Sequence, residues 1–167
     1  MNDILTARAA EAMIERYCDG VHDVNHFLKV HSYARMIGIL EGLDEDVLLT
    51  LELAAVVHDI ACPLCRQKYG NTNGKYQELE SPPLVEDFFA GMPVEGDMAE
   101  RISWLVAHHH TYTHVDSLDY QILLEADFLV NADEGGLVCA AIENMRQSVF
   151  RTGAGVRLLD SIYLREQ

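Results

Sequence analysis

His58 and Asp59 stand side by side at the end of an almost wholly apolar run from Val47 to Ala61. An ionisable pair beside Leu53, Val56 and Val57 is costly unless it is paired, hydrogen-bonded or bound to a metal. The C-terminal end of a helix carries partial negative charge, which favours a cation at that place. Upstream, His26 is followed by Val30, Ala34 and Ile37, which at 100° per residue lie within ~80° of it, so His26 faces inward and can be a ligand. His31, ~140° away from His26, falls on the flank as a surface or supporting histidine. Downstream, Asp127 is flanked at helical spacing by Leu123, Leu124 and Val130, so its carboxylate faces the interior and needs a partner. Glu125 sits on a different part of the same helix and reads as solvated.

His108, His109 and His110 end a further apolar segment containing Ile102, Trp104, Leu105 and Val106. Three consecutive histidines cannot all face one way. The reading places His108 and His109 inward and His114 in a loop. The stretch from Ile60 to Gln77 has no Asp or Glu but holds Arg66, Lys68 and Lys75, a local basic patch suited to an anionic substrate. Glu78 and Glu80 follow it as candidates for proton transfer. Cys62 and Cys65 have the spacing of half a zinc site or of a redox pair, but no second such pair exists and no βα pattern precedes them, so a structural role is assigned.

These residues need helices to position them. Apolar residues recur every three or four positions over 3–18, 23–40 and 47–61, with Gly20 and Gly42 as stops and Asp44 as an N-cap. Pro63 breaks the third helix, and Gly70, Asn71, Thr72, Asn73 and Gly74 mark a long loop reaching about Ser81, where Pro82 and Pro83 start the next helix. Further helices are expected over 96–110, 116–133, 135–151 and 155–165. No stretch alternates apolar and polar residues as a strand would. The fold expected is all-α, a single bundle of about six to eight helices over 1–167.

The chain has 167 residues, 12 Lys plus Arg against 27 Asp plus Glu, and a formal net charge of −15. Such an acidic balance argues against duplex DNA and an anionic membrane as the main partner, because both require a basic face. No basic segment followed by an apolar run opens the sequence, and no window has ~18 consecutive apolar residues. A cytoplasmic protein with reduced thiols is the expectation.

The order His26, then His58-Asp59, then Asp127 resembles the HD-domain superfamily of metal-dependent phosphohydrolases, over roughly residues 22–135. The resemblance implies that His26 (with Val30 and Ala34 in register), His58, Asp59 and Asp127 bind one metal ion, and it implies an all-α fold. Imidazole and carboxylate donors suit Mn, Fe, Co, Ni or Zn. Two-metal members add histidines on the intervening helices. Here His108, His109 and His110 stand at one such position, of which His108 and His109, with Glu80, are the candidates for a second ion or for the substrate, and Gln77 stands where another histidine might fall. Where many members carry a Lys after the His-Asp pair, this chain has Ile60-Ala61-Cys62-Pro63. The activity implied is hydrolysis of a nucleotide or other small phosphate ester by a metal-activated water. Asp59 would ligate and orient the water, His108 or His109 would contact the phosphate or leaving group, and Arg66, Lys68 and Lys75 would clamp the phosphate. Two alternatives carry the same residues: a metal- or nucleotide-binding sensor that does not turn over, and a di-iron oxygenase.

Overall fold

The helical spacing of the sequence is realised across the described residues. A computed structural model describes residues 2–165, and among them the chain forms nine α-helices and no strand. In order these are α1 (Asn2–Tyr17), α2 (Val21–Leu40), α3 (Glu45–Val57), α4 (Cys62–Tyr69), α5 (Gly74–Phe89), α6 (Gly96–His108), α7 (Leu118–Glu134), α8 (Cys139–Ser148) and α9 (Gly153–Tyr163).

Three helices make the centre. The apolar run becomes α3, started by the Asp44 side chain, which accepts from Val47 N at 3.0 Å, and every residue from Leu49 to Val57 is buried. α7 is buried on all sides from Asp119 to Val130. α2 lays His26, Phe27, Val30, Ala34 and Ile37 against both. α6 and α1 pack on α3, α5 pairs with α6, and α9 closes over α7. The stretch Glu45–Tyr69 is apolar and long enough to cross a membrane by length and composition, and 72% of its most apolar window is buried inside the bundle. Its character is that of the central packing layer.

The segment read as one long loop is largely helical. Pro63 lies in the first turn of α4, where a missing N–H costs nothing, and Gly70 at φ 72° ends that helix in the left-handed conformation. The open connection shrinks to residues 70–73. Asn73 then caps α5, accepting from Lys75 N at 3.1 Å, so α5 begins seven residues before Ser81 and carries Pro82 and Pro83 inside it. The two carbonyls that lose a donor belong to Glu78 and Leu79, residues that are half-exposed and exposed. This added helix accounts for nine elements where six to eight were expected.

Glu125 is the other correction: it is fully buried. Its Oε1 accepts from Arg151 N (2.6 Å), Thr152 N (2.9 Å) and Gln121 Nε2 (2.7 Å), and its Oε2 accepts from the Thr152 hydroxyl. The carboxylate thus satisfies the chain end that leads into α9, whose cap Thr152 accepts from Gly155 N. Gly155 is required there, because a Cβ would fall on Glu125 Oε2 and 2.6 Å from Thr152 Oγ1.

Candidate metal centre

His58 and Asp59 lie in the tight turn between α3 and α4, held by Ile60 N to Val57 O (3.0 Å) and Cys62 N to Asp59 O (2.9 Å). The turn aims both side chains at α2 and α7. His26 Nε2 is 3.1 Å from His58 Nε2, 3.4 Å from Asp59 Oδ2 and 3.3 Å from Asp127 Oδ1; His58 Nε2 is 3.6 Å from each of those oxygens. Ligand atoms ~2.1 Å from one cation stand ~3.0 to ~3.4 Å apart as neighbours in octahedral or tetrahedral geometry. The observed spacings are of that size.

Hydrogen bonds fix which ring nitrogens carry protons. His58 Nδ1 donates to Ala55 O at 2.8 Å and His109 Nδ1 to Val106 O at 2.7 Å, and a carbonyl can only accept. His26 Nδ1 likewise donates to Glu134 Oε2 at 2.8 Å. In the neutral rings, every Nε2 is then a lone pair, and these lone pairs face one another and two carboxylates. Such a group of acceptors requires a cation or extra protons. Burial opposes a proton on His26, yet Asp127, Asp59 and Glu134 together raise its pKa to about 9. Burial would raise the carboxyls of Asp59 and Asp127, and the neighbouring imidazoles outweigh it and hold both well below the ordinary range.

Buried His and Asp groups here could hold a metal ion. Donor atoms of His26, His58 and Asp59 lie within 4.8 Å of one another, and so do those of Asp59, His109 and His110. Asp59 belongs to both groups. Its Oδ2 faces His26 and His58, and its Oδ1 is 3.5 Å from His109 Nε2. His109 Nε2 is also buried without a hydrogen-bond partner, as is His110 Nε2. Orphaned lone pairs beside a carboxylate fit a second cation in chemistry as well as in spacing.

His26, Asp59, Asp127 and His110 open onto a cavity of about 280 Å3, lined also by His22, Asp23, Cys62, Arg66, Thr72, Gln77, Asn131 and Glu134, and His58 and His109 are fully buried outside that lining. His108 does not line the cavity either. Its Nδ1 donates to Trp104 O at 2.7 Å and its ring stacks on Trp104 at 4.2 Å, facing the groove between α5 and α6. α6 ends at His108 and the chain turns there, with Thr111 N bonding His108 O, so the two histidines beyond the helix are the ones delivered inward.

The expected phosphate clamp does not assemble. Arg66 lines the cavity but is paired with Asp23 and, at 3.1 Å, with Asp19. Lys68 is turned to Glu80 at 2.6 Å, and Lys75 is exposed on α5 away from the cavity lining. Glu80 also accepts from Tyr69 OH (2.5 Å), and Glu78 accepts from Thr111 Oγ1 (2.8 Å); neither reaches the cavity. Acids from α2, its preceding turn and α5 neutralise a patch that looked basic when counted along one segment. His31 stands on the flank, bonded to Glu52 at 2.9 Å beside Arg35. His114 is in a loop at φ 58°. Cys62 and Cys65 are buried free thiols, and burial, with Asp59 and Glu80 respectively, pushes both pKa values up.

No family model, curated protein or solved structure matches the chain. The functional reading therefore rests on these residues and their geometry. Two participants escaped the sequence reading although helical spacing marks them. Asn131 and Glu134 follow Asp127 by four and seven residues on α7, hence on its face. Asn131 Nδ2 donates to Asp127 Oδ1 at 2.8 Å, and Glu134 holds both His26 Nδ1 and Lys29 Nζ. Of the three consecutive histidines the reading had favoured His108 and His109, and the structure brings in His109 and His110.

Proposed function

We propose that this protein is a metal-dependent phosphohydrolase of the HD-domain type, acting on a nucleotide or another small phosphate ester. The observation that supports the reading best is the convergence of His26 Nε2, His58 Nε2, Asp59 Oδ2 and Asp127 Oδ1 at 3.1–3.6 Å, with His26, Asp59 and Asp127 on the cavity wall and the outer nitrogens of both rings already committed elsewhere. These four residues would hold the first cation. Asp59, His109 and His110 offer a second position. A bound divalent cation supplies Lewis-acid polarisation of a phosphoryl oxygen and lowers the pKa of a coordinated water.

The remaining work belongs to side chains of this chain. Glu134 fixes the tautomer and orientation of His26, and Asn131 does the same for the Asp127 carboxylate. Ala55 O and Val106 O hold the rings of His58 and His109. The Asp59 side chain is the more accessible carboxylate of the set, 27% exposed, so besides ligating it can orient a water. Arg66 contacts a phosphate only by exchanging its present partners Asp19 and Asp23. A donor set that opens onto a cavity favours turnover over a closed storage site.

The test is elemental analysis of protein purified without chelator, joined to a screen of phosphate release from nucleotides and generic phosphate esters. One or two equivalents of transition metal, with release abolished by a chelator and restored by metal, are expected. Retention of metal and activity by a folded His58→Ala protein would sink the assignment.

A further inference from the structure

α2 is apolar on two opposite faces. At 100° per residue its inner face carries His26, Phe27, Val30, Ala34 and Ile37, all buried, while Val21, Asn25, Leu28, Ser32, Met36 and Ile39 fall within ~80° of one another on the other side. Those six residues stand three or four apart over ~27 Å of helix, and the four apolar ones are between 41% and 75% exposed. With Leu40 beside them, this helix of 20 residues supplies five of the fourteen large hydrophobic side chains that stand exposed among the described residues. A helix that is apolar all round is normally packed all round. The described residues cover only the inner face of this one.

The outer stripe is also free of acid. The chain has 27 Asp plus Glu in 167 residues, but α2 contains a single one, Asp23, which lines the cavity and is paired with Arg66. Lys29 borders the stripe on one side and Arg35 on the other. Both are drawn back onto the bundle, Lys29 to Glu134 at 3.0 Å and Arg35 to Glu52 at 2.7 Å. The stripe itself therefore offers nothing to a charged partner. An exposed apolar surface with a polar rim marks a site of protein association.

We propose that this face of α2 packs against the same face of a second copy of the chain, in a closed two-fold dimer. Two chains of net charge −15 repel one another, and the repulsion is least where a face without acid meets its like. A two-fold contact also needs a patch that complements itself. An apolar stripe does so whichever of its residues lies opposite. Its two polar members do so as well, because the Asn25 amide and the Ser32 hydroxyl each carry a donor and an acceptor and can bond their own kind across the axis. The inference is independent of the metal-dependent reading, since His26 projects from the buried side of the helix, ~140° from Val21.

The experiment is analytical ultracentrifugation of the full chain over a series of protein concentrations, at low and at high NaCl. A mass twice that of the chain is expected at micromolar protein, and salt should strengthen the association, because it screens the repulsion between the acidic copies and leaves apolar contact in place. Leu28→Glu combined with Ile39→Glu sets like charges against one another in the stripe and should raise the dissociation constant about 100-fold or more. Both side chains are exposed, so circular dichroism and Tm should stay those of wild type. Leu79→Glu, at an exposed apolar position on α5, should leave the dimer intact. A chain monomeric at every concentration leaves the stripe to some other partner and overturns the proposal. So does a dimer that salt weakens, that survives the double substitution or that Leu79→Glu dissociates, and so does assembly that continues past two copies.

Discussion

Glu125 and Asp127 are two buried carboxylates two residues apart on α7, and their surroundings are opposites. Glu125 is enclosed by donors: two backbone N–H groups, a hydroxyl and an amide all point at it. Asp127 receives one neutral donor, Asn131, and otherwise faces imidazole nitrogens whose protons lie on the far side of the ring in the neutral state. A carboxylate that the fold satisfies by itself holds the fold together. One left among acceptors is waiting for a cation, and the difference separates structure from function at equal burial.

The largest effect that sharpens this contrast is expected at Asp127. Asp127→Asn keeps the shape and removes the charge, and metal affinity should fall by more than the ~100-fold that loss of an outer partner costs, with phosphate release falling alongside. Elemental analysis after desalting measures it. A variant that retains metal like wild type would break the comparison.

Glu125→Ala should do the reverse. It strands the N–H groups of Arg151 and Thr152 and the Thr152 hydroxyl, at a cost of about 3 kcal/mol, or a Tm lower by ~6–12 °C for a chain of this size. The metal content of the folded fraction stays unchanged. Thermal unfolding followed by circular dichroism, with metal analysis on the same sample, gives both readings.

Next in size is Glu134, which is not itself a proposed ligand but orients the proposed ligand His26 through Nδ1. Glu134→Ala should weaken metal binding by ~10- to 100-fold with little change in Tm, a split that a merely structural carboxylate would not produce.

How much of this was legible in the sequence depends on what each residue meets in space. Periodicity located α1, α2, α3, α6 and α7 and turned His26 and Asp127 inward, because burial repeats with the helical turn, while His58 was legible from the apolar run that it ends. It failed at Glu125, since a helix buried on every side has no solvated face to which a charge can be assigned, and all the partners of Glu125 but Gln121 lie more than 25 residues away. His108 was misplaced for a local reason: rotation of 100° per residue holds only inside the helix, and α6 stops at His108. Pro63 was read as a breaker where it is a starter, because the sequence around it does not say on which side of the proline the new helix lies.

A smaller effect concerns the metal-stripped protein, which should lose stability as pH rises. His26 has a pKa of about 9 in the fold, with burial opposing and Asp127, Asp59 and Glu134 favouring its proton, against about 6.5 unfolded. A group raised on folding contributes fully below its unfolded pKa, and the contribution is gone once pH passes the folded one, so the decline runs from about pH 6.5 to about 9. The lowered carboxyls of Asp59 and Asp127 do not enter that window, since their share is lost only in acid. Urea unfolding across the window checks the slope, which added metal should flatten by taking the place of the proton.

The smallest effect is expected where charge counting along the chain pointed most directly to phosphate. Lys68 is held by Glu80 and Lys75 is solvated, and neither lines the cavity. Lys68→Ala and Lys75→Ala should each leave kcat/KM for a phosphate ester within about twofold, the size expected of exposed charges screened by salt. Arg66→Ala is the informative partner, because it removes the only Lys or Arg on the cavity wall among the described residues and leaves Asp23 there without its ion pair. It should raise KM well beyond either lysine variant. Equal effects at all three positions would mean that a diffuse field guides the substrate, and that the cations bound beside Asp59 and Asp127 do not carry its recognition.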